Sequence, residues 1–250
     1  MNHTVKAIVL AAGKGTRLQT EGVTLPKVMR QAAGHPLLHY VLDALNFIPR
    51  EDIILVVGYR REEILAAYPD YPAAEQLEQL GTGHAVQCAS EALSSFHGDV
   101  LVCCGDMPLM RMETYRALVE THRSQRNDCT ILSGFSEEEL PYGRVIRDAD
   151  RGFLRIVEEK DCTPEEKTVR ELNAGVYVFQ ADRLLEALGS LRPDNAQGEY
   201  YLTDVPAYLL AHGGRIGVCA VCTPREMLGV NTPAQLLQVE HELSSEPEDQ

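Results

Sequence analysis

Positive charge is scarce in this sequence. The 250 residues hold 23 Lys and Arg against 37 Asp and Glu, a formal net charge of −14. Such a surface repels phosphodiester chains, whose binding rests on neutralised phosphates, so no nucleic acid is expected as a partner. Long hydrophobic runs are missing too. No stretch approaches the roughly eighteen apolar residues that a membrane span needs, so no membrane is expected either. The opening MNHTVKAIVLAAG carries a short apolar run without the basic segment that begins a signal peptide, and reads as a strand. The seven cysteines are odd in number and come with no signal, which fits reduced, mostly buried thiols in a cytoplasmic protein. Cys219 and Cys222 form a lone C-x-x-C with no second Cys or His pair to complete a zinc shell. Three apart on a strand, they are expected to face opposite ways. No internal repeat is present, and nothing in the sequence marks an oligomeric state.

What is present is an alternation. At 44 % hydrophobic content the chain can bury a sizeable core. Apolar β-branched runs at Ala7–Leu10, Asp52–Tyr59, Asp99–Asp106 and Cys129–Phe135 alternate with helical spacing at Pro36–Ile48, Arg61–Ala67, Gly83–Leu93 and Met112–Arg123. That order predicts a mostly parallel sheet with helices on both faces. After Ser136 the pattern turns β-rich. YGRVIRD and GFLRIVEEKD flank a turn at Ala149–Gly152, and Leu172–Phe179 is a further strand. Helices at Ala181–Leu188 and Thr203–His212, a strand at Arg215–Val221 and a helix at Thr232–Leu243 complete an α/β chain. One domain is expected over 1–242, with its β-rich part near 136–180 and an acidic, disordered tail over 243–250.

Ligands in such sheets bind beyond the carboxyl ends of the strands. Three unusual pieces fall there: AAGKGTR after the first strand, Gly58-Tyr59 after the second, and Gly105-Asp106 after DVLVCC. Gly13 and Gly15 match the start of G-x-G-x-x-G, but Leu18 replaces its third glycine, and the Walker pattern is absent. The loop is either a plain strand-to-helix turn or a phosphate cradle whose backbone amides are joined by Lys14, Arg17 and Lys27. Asp106 either caps a helix starting near Pro108 or holds Mg²⁺ together with substrate phosphates. In EQLGTGHAV, Thr82 either caps the following helix or lies against a ring or a phosphate, and Gln76 and Gln79 offer amides that read base edges. His84 reads as a helix-start residue rather than a base.

Nine blocks in order resemble the sugar-1-phosphate nucleotidyltransferases: LAAGKGTR, LPKV, EQLGTGHA, GDMPL, YGRV, IVEEKD, LNAGVY, NAQGEYYLTD and GVNT. Within that family the chain is similar to the uridyltransferase domain of N-acetylglucosamine-1-phosphate uridyltransferase, over about Val5 to Val239. The resemblance implies a Rossmann-like, GT-A-like α/β fold with a β-rich sugar-binding insertion. It implies transfer of a uridylyl group from UTP to an amino-sugar-1-phosphate, N-acetylglucosamine-1-phosphate, as in the making of cell-wall precursors. Arg17 and Lys27 would hold the phosphates and be catalytic. Leu10, Ala12, Gly13, Lys27, Gln76, Gly81 and Thr82 would bind the nucleotide. Gly143, Glu158, Asn173, Thr203 and Asn231 would line the sugar pocket, and Asp106 and Asn231 would hold Mg²⁺. Without the resemblance, Asn231 reads as the N-cap of the last helix and the Glu158-Glu159 pair as solvated carboxylates.

The departures from the family are specific. Cys104 stands where many members have an aromatic residue before Gly-Asp, a few extra residues separate Arg17 from Lys27, and no hexapeptide repeats follow. The acetyltransferase half and the trimer interface of the bifunctional relatives are therefore expected to be absent. The alternatives are another sugar-1-phosphate, another nucleoside triphosphate, or a sugar-nucleotide-binding protein without catalysis. The reaction itself needs no general base, because a sugar-1-phosphate is already an anion. That agrees with the lack of any Ser/His/Asp or Cys/His arrangement.

Overall fold

The computed structural model describes residues 4–18, 25–138 and 140–245. In chain order the elements are β1 (Val5–Leu10), β2 (Gln31–Ala32), β3 (His35–Pro36), α1 (Leu37–Ala44), β4 (Ile53–Val57), α2 (Arg61–Ala67), β5 (Ala73–Glu75), α3 (Thr82–Cys88), α4 (Ser90–Leu93), β6 (Asp99–Cys104), α5 (Met112–Gln125), β7 (Cys129–Phe135), β8 (Arg144–Arg147), β9 (Phe153–Val157), β10 (Glu171–Gln180), α6 (Ala181–Leu188), α7 (Val205–Ala211), β11 (Ile216–Cys222) and α8 (Pro233–Ser244). Among the described residues nine strands form one sheet, ordered β11-β7-β10-β6-β1-β4-β5, with the β8–β9 hairpin joined through β10. β1 runs parallel to β4 and β6, β4 to β5, and β7 to β11. β2 and β3 make a separate small hairpin.

The central strands read as continuous apolar runs because both faces are covered. Ala7 and Val9 of β1, Ile53, Leu55 and Val57 of β4, and Leu101 and Cys103 of β6 face a core closed by α1, α2 and α5. Ile8, Ile54, Val56, Val100 and Val102 face the opposite core, closed by α3, α4, α6 and α7. Each helix meets the sheet with one stripe. Tyr115, Leu118, Val119 and His122 of α5, at spacings of three and four, are its buried positions along with Thr114. A third cluster, with Leu18, Leu37, Leu109, Val230 and Val239, fastens α8 beneath the loop that follows β1.

The α/β alternation is as the sequence predicts, with five local differences. The helix expected over 36–48 stops at Ala44 and continues as turns, while Pro36 sits before its first residue, with its backbone already extended. The helix expected over 83–93 breaks at Ala89 into α3 and α4, and the one expected from Thr203 opens with a 3-10 turn over Leu202–Asp204. β10 is antiparallel to both β6 and β7, an orientation that strand periodicity does not encode. Finally, Cys219 and Cys222 both point into one core, because a register shift between them in the β11–β7 pairing restores their parity. They are free thiols, and no cluster of three metal-ligating acids, Cys or His occurs among the described residues. Leu243 and Ser244 of the expected tail belong to α8, and 246–250 lie outside the described residues, as does the extra stretch 19–24. No helix among the described residues is long and apolar enough to cross a membrane.

One buried charge staples the β-rich part to the sheet. Glu171, at the start of β10 and 5 % exposed, accepts from Ser133 Oγ of β7 at 2.7 Å and from Arg147 of β8 at 2.6 and 2.7 Å. Removing the arginine strands a buried carboxylate. Arg147→Met should cost about 3 kcal/mol, near the low end for a broken buried pair because Arg147 is itself partly exposed. Thermal unfolding should then fall by roughly 6–12 °C. Arg147→Met with Glu171→Leu should regain much of that loss, since no charge is left unpaired. An unchanged melting temperature in the single variant would show that the pair does not hold the hairpin.

Candidate active site

The chain runs outward from β1 through β4 to β5, then returns to place β6 on the other flank of β1. Loops after β1 and β6 therefore diverge, and a crevice opens between them at the carboxyl ends. A cavity of about 290 Å³ occupies that crevice. It brings together Leu10, Ala12, Gly13, Lys27, Gln76, Gly81 and Thr82, every residue expected to bind the nucleotide, with Cys104 and Asp106 on the same walls. A larger cavity of about 680 Å³ opens at the amino end of β1 between Phe47 and Arg116, and none of the sequence-predicted site residues lines it.

Two features shape the crevice floor. Gly13 is exposed and has open space where a side chain would stand. Gly15 has φ +60° and lies so close to Lys27 that an added Cβ would stand 2.7 Å from the lysine's own Cβ. The glycine thus lets the loop close onto the base of Lys27. That lysine sits in a 3-10 turn over Lys27–Met29, which Arg30 ties back to the β1 loop by donating to the Leu18 carbonyl.

The Lys27 ammonium donates to Asn231 Oδ1 at 2.6 Å and pairs with the Asp106 carboxylate. Asp106 leaves β6 in a tight turn, its carbonyl accepting from the Val230 amide at 3.0 Å. It caps nothing: α5 begins at Met112 behind Arg111, without a side-chain cap. Asn231 is not a cap either. Thr232 takes that role, its hydroxyl accepting from the Gln235 amide, while Gln235 Oε1 accepts from the Asn231 backbone amide at 2.8 Å. The Asn231 side chain is left to face the cleft. The loop carrying it is held by Tyr142, whose hydroxyl donates to the Met227 carbonyl and accepts from the Gly229 amide. Tyr142 and the cap Thr232 escaped the sequence reading. Thr-x-x-Gln before an apolar run is a capping signal that singles out Thr232 over Asn231.

Two hard oxygens from distant parts of the chain thus converge on one cation. Such a pair, completed by substrate phosphates, suits Mg²⁺, which takes few protein ligands. Arg17 lies exposed in a short 3-10 turn after β1, with no ion-pair partner among the described residues, and it is not one of the residues lining the cavity. Thr82 opens α3 but does not cap it. Its hydroxyl accepts from the Leu202 amide at 3.1 Å and fastens the 199–202 segment over the pocket.

Four of the five residues expected on the sugar side also cluster, while the fifth, Asn231, stands with Lys27. The Asn173 backbone N–H donates to the Gly143 carbonyl at 2.8 Å, Thr203 Oγ1 donates to Glu158 Oε1 at 3.0 Å, and a Cβ on Gly143 would lie 3.6 Å from Glu158 Oε2. β10 bulges between Asn173 and Tyr177, with Gly175 at φ +69°, where Asn173 Oδ1 accepts from the Gly175 amide. The bulge brings Gly175 to within 3.9 Å, Cβ position to Sγ, of Cys104. Burial pushes the Glu158 carboxyl up, the Thr203 hydroxyl opposes this, and the negative charges of Asp161, Asp204 and Glu199 add to the rise. Burial likewise pushes the Cys104 thiol far up, with Asp106 the next cause, so it stays a neutral thiol at the junction of the two halves.

Comparison with known proteins gives the family and the fold type. The model for the MobA-like NTP transferase domain matches residues 7–203. The bifunctional protein GlmU of Pelobacter propionicus is 44 % identical over 239 residues, covering 94 % of this chain and 51 % of the relative, and that of Syntrophotalea carbinolica is 43 % identical over 95 % and 51 %. The chain spans about half the length of the curated relatives it matches. Among solved structures, a candidate glucose-1-phosphate thymidylyltransferase from Bacillus anthracis superposes with a TM-score of 0.74 at 17 % identity, covering 99 % of this chain and 98 % of that one. HddC from Yersinia pseudotuberculosis, complexed with GMP-PN, gives 0.66 at 18 % over 95 % and 99 %. At those identities the likeness concerns the fold, which is the GT-A-like nucleotidyltransferase type. By its sequence and its architecture the chain belongs to the family of MobA-like NTP transferase domains and is a nucleotidyltransferase.

Proposed function

We propose that the chain transfers the uridylyl group of UTP to N-acetylglucosamine-1-phosphate, giving UDP-N-acetylglucosamine and pyrophosphate. The observation that carries this reading is the meeting of the cavity residues Lys27 and Asp106 with Asn231, beside a sugar-side cluster whose strand comes within 3.9 Å of Cys104 on the cavity wall. The two GlmU relatives support the choice of substrates.

A phosphate oxygen of the sugar-1-phosphate bonds to the α-phosphorus of UTP as the bond from that phosphorus to the pyrophosphate oxygen breaks. No proton has to move, so the barrier lies in bringing two polyanions together and spreading the charge they share. Lys27 reaches the phosphates from the cavity wall and Arg17 from its exposed turn after β1. The amides of the Ala12–Gly13 turn approach the triphosphate because Gly13 leaves the space open. Gln76, Gly81 and Thr82 seat the base. Glu158, set by Thr203, accepts sugar hydroxyls, while Gly143 and Asn173 shape the floor beneath them. Asp106 and Asn231 would hold a Mg²⁺ ion, which when bound neutralises charge on the triphosphate and stabilises the leaving pyrophosphate. A different hexose-1-phosphate is favoured by one feature, Cys104, a small thiol where the family's aromatic would stack.

Pyrophosphate release measured over a panel of nucleoside triphosphates and sugar-1-phosphates should be fastest with UTP and N-acetylglucosamine-1-phosphate, and should stop with chelator. No release with any pair would overturn the reading, and a different best pair would reassign the substrates. Lys27→Ala and Arg17→Ala should each lower kcat by about 10²–10³, as loss of one transition-state charge donor does. Because the Glu158 carboxyl is raised, it takes up its proton at a higher pH than an ordinary glutamate. The KM for the sugar phosphate should therefore climb as the pH falls into the mildly acidic range, and Glu158→Gln should show a raised KM with no such slope. A wild-type KM that stays flat on acidification would remove Glu158 from sugar binding.

A further inference from the structure

Gln76 is 4 % exposed, yet its side chain forms part of the cavity wall. Its amide nitrogen stands 3.0 Å from the Gly81 carbonyl oxygen and 3.1 Å from His84 Nδ1. A carbonyl oxygen can only accept, so the –NH₂ end of the amide must face Gly81. The flipped amide would set two oxygens against each other. The second amide hydrogen then meets His84 Nδ1, which must offer a lone pair. The imidazole proton is thereby placed on Nε2, and Nε2 lies 3.8 Å from the Cys88 sulfur, a weak acceptor one helical turn on. Both donors of Gln76 are consumed inside the protein. Its Oε1 has no hydrogen-bond partner among the described residues and is left for the cavity.

We propose that His84, as its Nε2–H tautomer, is a positioning residue that locks the Gln76 amide so that only an acceptor oxygen meets the nucleobase. His84 does not line the cavity and acts through Gln76. A free glutamine amide can turn and present either a donor or an acceptor, and so reads nothing. A locked one selects a ring nitrogen that carries hydrogen at that point, as uracil and thymine do at N3, and opposes the bare N3 lone pair of cytosine. α3 makes this possible: Thr82 opens the helix and puts His84 in its first turn, while Gly81 supplies the carbonyl that fixes the amide's sense. The inference rests on the reading of this cavity as the nucleotide pocket.

The ratio of kcat/KM for UTP to that for CTP tests it. Loss of the second hydrogen bond in His84→Phe should shrink that ratio about fivefold. His84→Gln, which retains an acceptor, should hold the ratio nearer to wild type. A merely structural role for His84 would lower both rates and leave the ratio alone, so an unchanged ratio in His84→Phe overturns the proposal. A wild-type chain that uses UTP and CTP equally also overturns it and leaves the phosphate chemistry standing. If no nucleotide is used at all, the reading of the cavity fails instead. The tautomer is read independently, and without variants, from the side-chain ¹⁵N shifts of His84 in the full chain. A bare Nδ1 with a protonated Nε2 supports the lock, and a proton on Nδ1 overturns it.

Discussion

One ammonium group organises the cleft. Lys27 comes from the loop after β1, Asp106 from the end of β6 and Asn231 from the approach to α8, and the Lys27 side chain is the point at which they meet. A half-buried carboxylate without a partner costs free energy, and so does an unpaired half-buried ammonium. Each makes the other tolerable, and the amide oxygen of Asn231 completes the ammonium's shell. The rest of the architecture serves this meeting. Parallel pairing puts the ends of β1 and β6 side by side. Gly15 lets the loop settle on the lysine, and Tyr142 and Thr232 hold the last loop so that Asn231 points inward.

The same pairing bears on the chain's charge balance. An acidic protein whose proposed substrates are both anions must not spend its few cations elsewhere near the cleft. Arg30, next along the chain from Met29, is committed to a carbonyl, Arg144 to two carbonyls, and Arg147 to Glu171. Lys14 and Arg17, in the loop after β1, stay exposed without ion-pair partners among the described residues. On the sugar side the field is reversed. Glu158 lies among Asp161, Asp204 and Glu199, which raise its carboxyl. The surroundings of the cavity are therefore cationic at Lys27 and acidic and acceptor-rich around Glu158.

The antiparallel β10 brings those two sides together beside Cys104. Because it runs against β6, its first residues and not its last stand at the carboxyl ends of the parallel strands. Asn173 and the Gly175 bulge are delivered to Cys104 by that reversal, and the β8–β9 hairpin, which pairs with β10 at Leu172, carries Gly143 and Glu158 with it. A parallel β10 would have sent the whole β-rich part to the opposite edge of the sheet. The small thiol of Cys104 widens the junction between the two halves at the point where the bulge comes nearest.

Much of this was legible before the structure, and what was not has a common cause. β-branched runs and helix spacing are local, and they give β1, β4, β6, β7 and the helices. Strand direction, the register shift that turns Cys222 inward beside Cys219, and the short β5 are set by partners far along the chain, which periodicity cannot report. The site divides the same way. Asp106, Thr82 and Asn231 each sit where a helix cap is the natural local reading, and in each case a non-local partner wins: Lys27 for Asp106 and Asn231, the Leu202 amide for Thr82. The last helix shows why. Its cap needs one oxygen, and two adjacent residues offer one. Thr232 is the residue whose hydroxyl meets the Gln235 amide, so capping is satisfied without Asn231, and only then is an amide oxygen free to face Lys27. The pair Asn231-Thr232 is thus a division of labour. Neither a cap alone nor a ligand alone would require both residues, and the chain needs both because the helix start and the cleft wall are the same few atoms of backbone.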